Sequence, residues 1–296
     1  LRAHRRLGIG LELLFAAALV GWAFYRAFYP DITQAGGEKT MEMAFISGVL
    51  ESPRFPPRDP WMSGESISYY YFGFVVAAQL VHLSGVDRFV AFNLVVPMTL
   101  GMTLAGAFAL GHALAALTPG ASRRLRIATG ALTAMALALL GNLSGALEVA
   151  YKAGWLPAGL FRWLDIRDLG AGSGVCGGDD APYAALSGQS GLRLTDYFPD
   201  RFLWWWRGSR IIHDGCGEVI HEFPFFSFML ADVHPHVMAL PYALLVLALA
   251  LAILAGGLPR LPGRPPLSPA WLAIPLVVGA LAFLNTWDMP AYGFVL

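Results

Sequence analysis

Charge is scarce in this sequence: only 14% of its 296 residues are Asp, Glu, Lys or Arg, whereas a soluble domain carries about a quarter. That deficit argues against a cytosolic enzyme. Cysteine is nearly missing too. Cys176 and Cys216 are the two present, too few for a disulfide framework or a zinc ribbon. Neither charge sign is in excess, because 20 basic residues balance 20 acidic ones, so nothing points to nucleic acid as a partner. The sequence also lacks a phosphate-binding Gly loop, a nucleophile elbow and a His-Glu-x-x-His helix, and shows no repeat with a period of about 20–50 residues. What it has in plenty is apolar surface, with 56% hydrophobic residues and a mean hydropathy of +0.56. Such content excludes disorder as a description of the whole chain. An all-α, multi-pass integral membrane protein of the cell membrane is expected. The chain opens at Leu1 and stops inside the apolar run Ala291 to Leu296. A longer chain is therefore expected around it, and the rest of that chain is one partner.

A helix needs about 20 apolar residues to cross the hydrocarbon layer. Candidate spans lie at 7–29, 89–117, 127–143, 237–254 and 269–284. The first is too long for a cleaved signal peptide. A sixth apolar stretch, 69–83 (YYYFGFVVAAQLVHL), is short and carries three tyrosines, Gln79 and His82. The topology turns on it. Lys and Arg of short loops stay cytoplasmic. The clusters Arg2/Arg5/Arg6, Arg123/Arg124/Arg126 and Arg260/Arg264 share one side only if 69–83 lies along the interface. Segments 30–88 and 144–236, which hold nearly every acid and histidine, then share the outer face. We therefore read residues 1–296 as one membrane domain, in which 69–83 is a juxtamembrane helix anchored by its aromatics.

Within the outer segments, 38–51 has apolar residues at helical spacing and suits a short amphipathic helix. Residues 52–62 (SPRFPPRDPWM) cannot continue it, because their prolines remove donors and force an extended turn. Segment 171–191 is rich in Gly, Ser and Ala and reads as a loop, and the aromatics of 196–212 suit an interface. Asn142-Leu143-Ser144 matches a glycosylation sequon but abuts a span, and Glu12 can pair with Arg5 or snorkel.

Three groups of residues stand out chemically. The first is Gly36-Gly37-Glu38-Lys39 with Glu42, followed by Asp59, Trp61 and Glu65. Loop carboxylates are usually just solvated, but paired glycines allow backbone to approach a ligand closely. The second runs from His221-Glu222 to Asp232-Val233-His234-Pro235-His236, where an acid and two imidazoles enter an apolar span. Ionisable groups at membrane depth are costly unless paired or facing a cavity, which makes them functional candidates. Asp232, His234 and His236, with His221 or His213, are acceptable ligand types for zinc or manganese, so a divalent metal is a possible cofactor. His-Pro-His spacing nevertheless parts the two rings unless the backbone is extended, and simple pairing of Asp232 with Arg210 is the structural alternative. The third is Asn285-Thr286-Trp287-Asp288-Met289-Pro290, which is either a helix-end cap or a part of the site, and the topology places it beside the other two.

The segments GGEKTMEMAFISGVLESPRFPPRDPWMSGESISYYYFGF and EFPFFSFMLADVHPHVMALP, with LNTWDMP, closely resemble the YYY membrane protein family. That family takes its name from the tyrosine triplet, here Tyr69, Tyr70 and Tyr71, and has no established activity. The layout is also similar to the GT-C class of membrane glycosyltransferases, which take sugars from polyprenyl-phosphate donors. In that class an acidic motif in the first outer loop precedes juxtamembrane helices, and a second acid sits in a later outer loop. Glu38 with Glu42 falls where the first acid belongs and Asp232 near the second, although Gly37-Glu38 replaces the usual Asp-Glu pair. The resemblance implies a GT-C-like fold with long extracytoplasmic loops, membrane lipid as a partner, and a polyprenyl-phosphate-sugar donor. Glycosyl transfer needs a carboxylate base and cationic or metal stabilisation of the leaving phosphate. On that reading Glu38, Glu42 and Asp232 are the catalytic acids. Arg54, Arg58 or Arg210 neutralise phosphate, His234 and His236 bind phosphate or metal, and Lys39, Asp59, Trp61, Tyr69, Tyr70, Tyr71, Glu222 and Asp288 line the substrate. A transporter or channel, with Asp232 and the histidines as an ion path, and a non-catalytic envelope scaffold are the competing readings.

Overall fold

The computed structural model describes residues 2–33, 37–141, 143–164, 208–209, 219–256 and 269–296. Arg210, His213, both cysteines and segment 171–191 lie outside them. All regular structure among the described residues is helical apart from an isolated bridge between Arg58 and Ser66. The chain divides into two compact units, one formed by Leu1–Leu139 with Leu230–Leu296 and the other by Leu140–Met229.

The first unit is built on α1 (Arg2–Phe28), α2 (Lys39–Glu51), α3 (Phe72–Ser84), α4 (Arg88–Ala116) and α5 (Arg123–Met135). Three of its helices, Arg5–Phe28 within α1, α4 and the later Pro235–Leu254, are long and apolar enough to cross a membrane. The expected span at 127–143 is helical as α5 followed by a π-helical turn at Ala136–Leu140. That at 269–284 is a helix of 16 residues, shorter than the three. Helix α3 has 13 residues. It rises about 20 Å, well short of a hydrocarbon layer about 30 Å thick.

Local chemistry sets the helix ends. Asp87 caps α4 by accepting from the Phe89 N–H at 2.9 Å, and Ser122 caps α5 through the Leu125 N–H at 3.2 Å. An aspartate or serine at this position satisfies one of the donors that a helix N-terminus leaves open. Between α2 and α3 the proline-rich segment turns back on itself. Asp59 accepts from the N–H groups of Trp61 and Met62, and Ile67 N–H donates to Pro57 O at 3.0 Å.

Small residues let the long helices approach. A Cβ on Gly101 would lie 2.8 Å from the Phe15 ring, and one on Gly111 would meet Thr133. Arg26 near the end of α1 donates to Asn93 Oδ1 near the start of α4 at 2.6 Å, so α1 and α4 are antiparallel. Elements α6 (Ser144–Lys152) and α7 (Ala158–Trp163) belong to the second unit, and α8 (Pro224–Leu230) closes it. In that unit Gly141, at φ +54°, comes against the Phe223 ring, and His221 N–H donates to Ser209 O at 2.7 Å.

The first unit resumes with α9 (Pro235–Leu254), α10 (Pro269–Leu284) and α11 (Asp288–Val295). Helix α9 runs parallel to α4: Thr99 Oγ1 meets Met238 Sδ at 3.5 Å, and Leu244 packs over Gly106. Leu284, at the end of α10, reaches Gly73 at the start of α3. The last turn of α1, the first turns of α4 and α9 and the end of α10 therefore gather at one end of this unit. Proline interrupts α4 at Pro97, α9 at Pro241 and α10 at Pro275.

Candidate functional site

At that gathered end, α2 contributes the first acids. Glu38 sits at its N-cap position, exposed and not capping the helix with its side chain. One turn on, Glu42 is fully buried. It points at the turn before α9, where Val233 N–H donates to its Oε2 at 2.6 Å, while Oε1 has no hydrogen-bond partner. Burial, reinforced by the negative charge of Asp232, pushes the Glu42 carboxyl well above the ordinary range. Its surroundings therefore favour the protonated form.

The turn that carries Asp232 has an unusual backbone. Ala231 adopts φ +59° although it is not glycine, and it is buried. Asp232, also buried, comes against Gly37, where an added Cβ would lie 2.9 Å from its Oδ2 and 3.2 Å from Leu230. Gly37 has φ +74°, so both its conformation and this close approach require glycine. The paired-glycine signal thus has a physical meaning at Gly37: it brings the backbone before Glu38 onto the Asp232 carboxyl.

Lys39 is 1% exposed. Burial, and then repulsion from Arg26, pull its ammonium down to about 8 against the attraction of Asp232 and Glu42.

His234 occupies the N-cap position of α9 with extended backbone, φ −62° and ψ 142°, and Pro235 follows as the first helical residue. This extended residue brings the His-Pro-His rings together rather than apart. Their centroids lie 4.4 Å from each other and the Nδ1 atoms of His234 and His236 face one another. The other edge of His234 faces Glu38, with Nε2 3.5 Å from Oε2. Tyr69 joins this pair: its hydroxyl donates to Glu38 Oε2 at 3.3 Å and lies 3.4 Å from His234 Nε2. Burial, then the Glu38 charge, raise the Tyr69 phenol above its usual range, so it remains a protonated donor.

Asp288 enters from the first turn of α11. Burial lifts its carboxyl, while a hydrogen bond from Asn285 and the charge of His236 act in the opposite sense. Residues from all three sequence segments thus converge: Glu38, Lys39, Glu42, Tyr69, Asp232, His234, His236 and Asp288.

Several other expected site residues lie on the proline-rich segment after α2 and at the start of α3. Arg54 and Arg58 are exposed on the proline-rich segment. Asp59 spends its carboxylate on the turn at Trp61 and Met62. Trp61 packs edge-on against Phe45 at 6.0 Å, Tyr70 lies against Tyr69 at 5.3 Å, and Tyr71 forms the N-cap of α3. Glu222 belongs to the second unit and is exposed, and Arg210 lies outside the described residues. Sequence reading passed over Arg26, which is 4% exposed beside the site. A lone cation at the end of an apolar span is the signal that would have found it.

No curated protein and no solved structure matches the chain. The expectation of an uncharacterised membrane family has a direct counterpart in a family defined as uncharacterized membrane protein (DUF2298), whose profile matches residues 2–296. With that match covering nearly its whole length, the chain belongs to the DUF2298 family of membrane proteins.

Proposed function

We propose that this protein is a GT-C-like membrane glycosyltransferase that uses a sugar linked to a lipid phosphate, with its reaction on the extracytoplasmic face. The observation that carries the proposal is the contact of Glu38 with His234 at 3.5 Å, backed by buried Asp232 and Glu42. A carboxylate that is exposed, next to an imidazole and at the end of apolar helices can meet an acceptor from water and a lipid donor from the bilayer. Glu38 takes the proton from the acceptor hydroxyl, whose oxygen attacks the anomeric carbon as the bond to phosphate breaks. Tyr69 and His234 hold the Glu38 carboxylate in place. Glu42, through the Val233 N–H, keeps the Asp232 turn closed onto Gly37.

The leaving phosphate needs positive charge. His234 and His236, through their facing Nδ1 atoms, are donors that fit zinc or manganese. A divalent cation held there would stabilise that phosphate. Lys39 borders the Asp232 and Glu42 carboxylates.

The test is sugar transfer in membranes from a radiolabelled polyprenyl-phosphate sugar. Glu38→Gln should reduce transfer about a hundredfold or more, the loss of a positioned base, and Asp232→Asn should also be defective, with both variants folded. Transfer at the wild-type rate in both would refute the assignment. An ion path is the second reading, and the buried cluster of Lys39, Glu42 and Asp232 favours it. Proteoliposomes that pass ions in the wild type but not in Asp232→Asn would replace the first reading by this one.

A further inference from the structure

On the side of α2 away from the carboxylates lies a cavity of about 640 Å³ between the end of α1 and the start of α4. Thr40 and Met43 of α2 form part of its wall. Thr40 and Glu42, two residues apart, point about 200° from each other around the helix, so the cavity and the site just described use different faces of α2.

The walls have two chemical characters. Phe89, Val90 and Leu94 of α4, on a membrane-crossing helix, are 56%, 52% and 38% exposed. They form an apolar strip suited to hydrocarbon chains. At the head of this strip is Arg26, whose residue is 4% exposed. One of its terminal nitrogens donates to Asn93 Oδ1, and Asn93 in turn donates to Pro30 O at 3.1 Å. The Arg26 Nε is buried and has no acceptor. A guanidinium donor buried without an acceptor is costly, and Arg26 also lines the groove, where its planar fork is matched to phosphate. Asp31 also lines the cavity, where its carboxylate accepts from the N–H and hydroxyl of Thr33 at 2.7 and 2.9 Å and attracts Lys39. Lys39 lies close enough to Arg26 for the two charges to repel, but Asp232, Glu42 and Asp31 balance Lys39, so Arg26 is the cation of the groove.

We propose that this groove binds an anionic membrane phospholipid, with the phosphodiester on Arg26 and the acyl chains along Phe89, Val90 and Leu94. The occupant is a lipid rather than free phosphate because the apolar strip continues directly from the cation onto the surface of a membrane span. The site is independent of glycosyl transfer and would exist equally in a transporter or a scaffold.

The test uses the full chain, purified in detergent and reconstituted with phosphatidylglycerol, with phosphatidylcholine, or with soluble glycerol 3-phosphate as the headgroup alone. Retained ligand per chain is read by native mass spectrometry. Wild type should keep phosphatidylglycerol in preference to phosphatidylcholine and should not keep glycerol phosphate. Arg26→Gln should lower phosphatidylglycerol retention about tenfold or more, the loss of a charge-assisted hydrogen bond. If that variant unfolds, Ala27→Trp decides the matter, because it fills the groove from the exposed flank of α1 and leaves Arg26 intact. Equal retention by a folded variant, equal retention of the zwitterionic lipid, or binding of glycerol phosphate alone would each overturn the proposal.

Discussion

Replacing Glu42 with glutamine separates the two acids of α2 most sharply. In the native protein Glu42 is fully buried, accepts from the Val233 N–H, and has its carboxyl pushed well above the ordinary range by burial and by Asp232. An acid whose pKa is raised on folding binds more protons folded than unfolded. Its stabilising contribution is complete below the unfolded pKa and declines as pH rises toward the folded one. The slope is about 1.4 kcal/mol per pH unit for one proton. Glutamine keeps the oxygen for Val233, supplies a neutral N–H beside Asp232, and does not titrate. Glu42→Gln should therefore remove that slope, and its advantage over wild type should grow as pH rises from about 5, just above the ordinary carboxyl value. Glu42→Ala should behave differently, because it strands the Val233 N–H at a cost of about 1–3 kcal/mol at every pH. Thermal unfolding of the three proteins in one detergent across that pH range makes the comparison. Parallel wild-type and Glu42→Gln curves would refute the claim that its surroundings favour protonated Glu42.

Gly37→Ala should lower stability by about 1–3 kcal/mol in the same assay, since it combines an unfavourable left-handed alanine with a collision at Asp232. An unchanged melting temperature would mean that the Asp232 turn moves aside at no cost. Tyr69→Phe removes a hydroxyl shared by Glu38 and His234 and should cost about 0.5–1.5 kcal/mol, with a larger effect on sugar transfer than on melting. Cysteines at Ser63 and Val86, on either side of α3, should react with an impermeant thiol reagent from the same compartment. Labelling from opposite compartments would show that α3 crosses the bilayer.

Much of the first unit is legible in the sequence because membrane helices must satisfy their own backbone. The apolar runs mark α1, α4 and α9 without ambiguity. The spacing of Met43, Ile46 and Val49 marks α2, and the prolines after Ser52 mark its end. The same run lengths did not reveal that α5 passes into a π-helical turn at Ala136, which local composition does not encode.

At the site, residue type was a good guide where burial or strain demanded it, as at Asp232, Gly37 and the histidines. It was a poor guide to role. Glu38 and Glu42 look alike in sequence, and only the fold tells them apart, through the Val233 N–H that meets one and the water that reaches the other. The His234–His236 contact depends on one ψ angle that spacing leaves open. Arg54 and Arg58 stand out by charge, but charge on a proline-rich turn carries no direction. Arg26 was overlooked because it sits in a run otherwise read as plain span.

Pro97 and Pro241 give the gathered helix ends a common backbone feature. Each lacks the N–H that would otherwise close the helix ladder onto the carbonyl four residues earlier, at Asn93 in α4 and Val237 in α9. Both breaks lie within the first three turns of their helices, just beneath the residues that carry the acids and histidines. Deeper down, Leu244 is clamped against Ala107 and Ala134. The mouth of the helix bundle thus carries both gaps in the backbone ladder, while side-chain packing ties the shaft below.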